Sequence, residues 1–83
     1  MDNRVALVGI IIEDRDSVAP LNDILHSYAD YVIGRMGLPY PKRNISVISI
    51  ALDAPMDIIN SLTGKLGMLK GVTAKSLMAK MSE

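Results

Sequence analysis

Eight consecutive apolar residues, Val5-Ala-Leu-Val-Gly-Ile-Ile-Ile12, constrain this chain more than any other segment. The run is rich in β-branched side chains and ends abruptly at Glu13-Asp14-Arg15-Asp16. It is too short to span a bilayer and too β-branched to favour a helix. It therefore predicts a central strand covered on both faces. Everything else in 83 residues must be arranged around that strand. There is room for one domain, here 1–83, and for no second.

The remaining elements follow from periodicity. Ser17 can cap a helix in which Val18, Leu21, Ile24, Leu25 and Tyr28 form one apolar stripe, with Pro20 in its first turn. This predicts a helix from about Val18 to about Ala29. Tyr31–Met36 reads as a short second strand, and Gly37–Asn44, with one Gly and two Pro, reads as a loop. Ile45–Leu52 is a third strand with Ile48, Ile50 and Leu52 on one face and Ser49 and Ala51 on the other. Asp53 or Ala54 caps a second helix, with Pro55 in its first turn. Its stripe is Pro55, Ile59, Leu62, Leu66 and Leu69, and Gly71 is the stop. Gly64 and Gly67 inside that helix mark a close approach of the backbone or a weak helix. Val72–Met78 is the fourth strand, and Ala79–Glu83 is a tail expected to fray.

The order β-α-β-β-α-β predicts an α+β, ferredoxin-like fold: a four-stranded antiparallel sheet with two helices on one face. The other face should be polar. Here it must carry either Val5, Leu7 and Ile11 or Ala6, Val8, Ile10 and Ile12, so an apolar patch is left for a partner. Composition points the same way. There is no Cys, Phe or Trp, and the aromatics are Tyr28, Tyr31 and Tyr40. A core this short, built from Ile, Leu, Val and Met without disulfides, is best stabilised by oligomerisation. A homodimer or homotetramer is the expected state.

Charge and motifs exclude more than they include. Nine basic and nine acidic residues cancel, which removes long-range attraction to phosphate backbones. Strands one, three and four carry no aromatic to stack a base, so no direct nucleic-acid contact is expected. Met1–Arg4 and the run that follows do not make a signal peptide, and the reading is a cytoplasmic protein off the membrane. His26 is the single histidine and has no partners at ligand spacing, so it reads as a surface helix residue and no metal is expected. Glu13–Asp16 lacks the ligand number and the turn glycine of a calcium loop and reads as a capped connection. No nucleophile with a base and an orienting group is visible, so the chain is not read as an enzyme, and no cofactor is expected. The remaining candidate is basic. Arg35 lies between Gly34 and Gly37, with Lys42 and Arg43 nearby, a set that reads either as a solvated hairpin or as a site for a carboxylate or phosphate ligand. Gly34, Arg35, Gly37 and Arg43 are the candidate ligand-binding residues.

Six segments carry a resemblance to a known family: Arg4–Ile10, Leu21–His26, Ile33–Tyr40, Ile45–Ile50, Asp53–Pro55 and Leu62–Gly67. Together they resemble short bacterial proteins identified as regulators of the iron-only hydrogenase system. Ile33–Tyr40 and Leu62–Gly67 are the most specific parts. That family is similar in fold to ACT domains and to the C-terminal domain of the nickel-responsive repressor. Those relatives bind small effectors or metal at subunit interfaces. The resemblance therefore implies a homo-oligomeric sensor in transcriptional regulation. The histidines and cysteine of the nickel domain have no counterpart in Tyr31–Met36, so nickel is not expected. Two functions remain open. One is a regulatory module that binds a small anionic effector or a partner regulator. The other is a structural or assembly factor that binds a hydrogenase-maturation protein and no small ligand.

Overall fold

In a computed structural model, which describes residues 3–80, the chain forms four strands and two helices in the expected order. They are β1 (Asn3–Ile12), α1 (Val18–Ser27), β2 (Val32–Tyr40), β3 (Ile45–Pro55), α2 (Met56–Gly67) and β4 (Val72–Met78). The sheet order is β2-β3-β1-β4 and every neighbouring pair is antiparallel. This is the strand order of a ferredoxin-like fold, in which each helix connects two strands that are not neighbours.

The choice between the two faces of β1 is clear. Ala6, Val8, Ile10 and Ile12 are buried with Ile48, Ile50, Leu52 and Ala54 of β3. Leu21 and Leu25 of α1 and Ile59, Leu62 and Leu66 of α2 complete the same cluster. The opposite face of β1 is not covered: Val5, Leu7 and Ile11 remain 50, 46 and 41% exposed. The expectation of a strand covered on both faces is thus met on one face only. Both helices pack on the same side, so the β1 run is apolar on its outer face without any intrachain neighbour above it.

Several boundaries differ from the sequence reading, each for a pairing reason. Gly37–Tyr40 is strand, not loop, because Gly37, Leu38, Pro39 and Tyr40 pair with Ile48, Val47, Ser46 and Ile45. An edge strand accepts a proline that a central one would not. The connection shrinks to a 3-10 turn, Pro41–Arg43, closed by Asn44 in the left-handed region at φ 55°. Asparagine is one of the few residues that enter that region at low cost. Asp53, Ala54 and Pro55 extend β3 rather than starting the helix, because they pair with Val5, Arg4 and Asn3. Pro55 itself is the N-cap residue, extended at ψ 152°, and Met56 opens α2. The first helix ends at Ser27, and a 3-10 turn at Ala29–Tyr31 follows. The second ends at Gly67, short of Gly71. Ser17 does not cap α1. Its hydroxyl instead donates to the Lys70 carbonyl, across the chain. The capping carboxylate is Asp14, which accepts from the Asp16 N–H at 2.9 Å. Of the expected frayed tail, Ala79 donates to the Val5 carbonyl at 2.9 Å, and residues 81–83 lie outside the described residues.

Of the two readings of the helix glycines, a close approach of the backbone is not made among the described residues of the chain. A Cβ on Gly64 would meet nothing within 4 Å among the described residues. Both glycines are solvent-exposed and lie at ordinary helical backbone angles. Gly64→Ala is therefore expected to stabilise the fold by about 0.5–1 kcal/mol, by restricting the unfolded chain and improving helix propensity. Urea denaturation measures it, and an unchanged or lowered midpoint would show that the glycine is needed.

Candidate functional site

β2 is where the sequence placed the site, and its alternation decides what the site contains. Gly34 pairs with Ala51 on the uncovered face, whereas Arg35 and Gly37 pair with Ile50 and Ile48 on the helix side. The four candidate residues are therefore not brought together. Gly34 faces away from Arg35. Arg43 lies in the turn beyond Tyr40, separated from Arg35 by five strand residues, roughly 17 Å at about 3.3 Å per residue. Lys42 lies in that turn as well.

Arg35 has different neighbours. Its guanidinium donates to Asn22 Oδ1 on α1 at 2.9 Å. A cleft of about 350 Å³ opens there between α1 and β2. Leu25, Ala29, Val32 and Ile50 supply its apolar surface, and Asn22, His26 and Arg35 supply its polar groups. The size is at the lower end of small-molecule sites, and the make-up of apolar walls with a few convergent polar groups is typical of them. Asn22 and His26 are four residues apart on α1 and so share one face of the helix. Between them they offer an amide and an imidazole beside the fixed positive charge of Arg35. A planar guanidinium with an adjacent amide and ring N–H suits a carboxylate or a phosphate oxygen pair. Sequence reasoning weighed His26 as a bystander and did not consider Asn22. Their i, i+4 spacing was visible, but nothing local showed that Arg35 would lie beside them.

Outside the cleft, one polar cluster joins the helices. The Tyr28 hydroxyl lies 3.0 Å from Ser61 Oγ, and Lys65 Nζ sits 5.2 Å from the ring centroid. The Ser61 hydrogen bond, then the Lys65 ammonium, hold the phenol below its ordinary value of 10.0, against the opposing effect of burial. With Tyr28 itself buried, this cluster faces the α1–α2 seam and reads as a helix-to-helix contact. Among the described residues there is no group of three or more His, Cys, Asp or Glu that could hold a metal ion. No helix among them is long and apolar enough to cross a membrane.

Comparison with known proteins adds a family. A family model described as "TM1266-like: Iron-only hydrogenase system regulator, putative" matches residues 4–76. Among solved structures, the chain is similar to an uncharacterized protein, TM1266, from Thermotoga maritima. The two are 31% identical, superpose with a TM-score of 0.90, and the match covers 95% of this chain and 100% of that one. No curated protein matches.

Proposed function

The chain belongs to the TM1266-like family of iron-only hydrogenase system regulators, and we propose that it acts there as a non-enzymatic, oligomeric regulatory module whose α1–β2 cleft takes up a small anion. The observation that carries this reading is the convergence of Arg35, Asn22 and His26 over an apolar floor. A regulator needs a site whose occupancy its partners can sense. This cleft joins a helix to an edge strand, so filling it changes how firmly one is held against the other. With a net charge of zero, and so no long-range pull toward a phosphate backbone, the module would influence transcription through a second regulator or a hydrogenase-maturation protein, in the cytoplasm. Gly34, Gly37 and Arg43 are not needed for the anion in this reading, and Arg35 is.

The test is thermal unfolding with inorganic phosphate and, separately, citrate. A ligand that binds only the folded state raises its midpoint. Wild type should be stabilised by at least one of the two, and Arg35→Ala should lose about tenfold or more in affinity, the worth of a charged hydrogen bond. Arg35 is exposed, so the variant should fold as wild type does. If neither anion shifts the wild-type midpoint, the cleft is not an anion site. The second reading, an assembly factor with no small ligand, would then be preferred. The uncovered apolar sheet face is the observation that favours it.

A further inference from the structure

The uncovered face of the sheet is built from alternate residues of all four strands. Cα pairing places Val5, Leu7, Gly9 and Ile11 of β1 beside Asp53, Ala51, Ser49 and Val47 of β3. Met36 and Leu38 of β2 flank Ser49 and Val47 on one side, and Leu77 and Lys75 of β4 flank Leu7 and Gly9 on the other. Met36, Leu38 and Leu77 are 70, 64 and 70% exposed. Large side chains therefore stand on both edge strands and at Leu7 and Ile11 of β1, and the small residues Gly9, Ser49 and Ala51 form a low patch among them. Apolar grooves of about 260 Å³ beside Met36 and Leu38 and about 340 Å³ beside Leu7 and Leu77 continue that relief.

We propose that this face is the dimer interface and that its occupant is the same face of a second copy, joined by two symmetric Asp53–Lys75 ion pairs. The proposal gives the oligomeric part of the proposed function a surface and is independent of the anion cleft. Two observations select a second copy. The first is the apolar patch. Val5, Leu7, Ile11, Met36, Leu38 and Leu77 stand 41–70% exposed together on this one face, a contiguous apolar patch of the kind that marks a protein interface, for which roughly 800 Å² per partner is standard. The second is charge. Asp53 and Lys75 lie on this face, on β3 and β4, and neither has an ion-pair partner among the described residues. A two-fold interface is self-complementary: if residue i meets residue j, then j meets i. One unpaired acid and one unpaired base on a strand face that is otherwise uncharged satisfy that rule twice. Knobs beside a low patch of small residues satisfy it in shape, and two twisted sheets packing face to face can interdigitate in that way.

Sedimentation velocity on the whole chain from 1 to 100 µM tests it. Wild type should sediment as at least two copies. Leu7→Lys should give a folded monomer, since Leu7 is outside the core, and its circular dichroism should match wild type. Lys75→Asp and Asp53→Lys should each weaken self-association tenfold or more by placing like charges together. An equimolar mixture of the two variants should associate again, because each mixed pair restores both bridges. An oligomer that persists in Leu7→Lys would overturn this interface and leave the oligomeric reading intact. A wild-type monomer at 100 µM would overturn both, and phosphate binding by that monomer would still support the cleft. Single charge variants that associate normally, or a mixture that does not recover, would reject the ion pairs.

Discussion

Leu62→Ala is expected to remove about 3 kcal/mol or more from the stability of this domain. Leu62 is fully buried at the middle of the α2 stripe, between Ile59 and Leu66, which are also fully buried. Truncation there loses the transfer free energy of the removed atoms and leaves a cavity that a close-packed core closes only in part, and measured costs span about 2–5 kcal/mol. An 83-residue domain has roughly 4–12 kcal/mol in total. With no aromatic side chain heavier than tyrosine and no disulfide, few other groups can compensate. The urea midpoint should fall by about 2–3 M at an unchanged slope, since the slope reports surface exposed and that barely alters. Leu77→Ala is the matched control. The residue type is the same but the side chain is 70% exposed, so the folded monomer should lose less than about 0.5 kcal/mol. A Leu77→Ala loss that grows at high protein concentration would report a neighbouring copy. Equal losses at the two positions in dilute protein would mean that α2 does not seal the core.

How much of this could be read from the sequence depends on how far each feature reaches. The stripe Ile59, Leu62, Leu66 is local, and its period placed α2 on the core before any fold was known. β4 needed only its own residues, and Val72–Met78 was read with its observed bounds. β1 was harder, because both of its faces are apolar. β3 was the arbiter. Ser49 and Ala51 lie opposite Ile48, Ile50 and Leu52, and the register that pairs Gly9 with Ser49 and Leu7 with Ala51 fixes which face of β1 is outward. β2 was misread past Met36 because Gly37 and Pro39 carry loop propensities. Its position at the sheet edge overrides them, and that position is set by the whole topology.

The site divides in the same way. Arg35 stood out as a cation between two glycines. Lys42 and Arg43 looked close to it because a loop would have folded back, whereas a strand carries them away at about 3.3 Å per residue. Asn22 lies thirteen residues earlier, and only the packing of α1 against β2 brings its amide to 2.9 Å from the Arg35 guanidinium. Adjacency across elements is the information a single sequence holds least explicitly. The candidate site accordingly kept one of its four residues at the cleft and gained two.

Gly71→Ala makes the same covalent change as Gly64→Ala and should have the opposite sign, with a loss of about 2–3 kcal/mol. Gly71 lies at φ +69°, where an L side chain costs roughly 1 kcal/mol or more. Space is also lacking. A Cβ would lie 2.8 Å from Asp14 Cβ and 3.0 Å from the Asp14 backbone nitrogen, so backbone must move. That movement has consequences because the corner is tied to the β1–α1 connection. The Glu13 N–H donates to the Gly71 carbonyl at 2.7 Å. The Ser17 hydroxyl, only 4% exposed, donates to the neighbouring Lys70 carbonyl. Separating them leaves a buried hydroxyl without its acceptor, which costs on the order of 1–3 kcal/mol by itself. The Lys70–Asp14 ion pair at 3.7 Å adds little, since the lysine is almost fully exposed. Ser17→Ala removes donor and need together, so it should cost less than Gly71→Ala. Urea midpoints for Gly71→Ala, Ser17→Ala and the double variant then separate strain from lost bonding. A double variant no worse than Gly71→Ala alone would show that the glycine change already breaks the Ser17 bond. A Gly71→Ala protein as stable as wild type would mean that the corner at residues 70–71 yields without disturbing the loop it closes on.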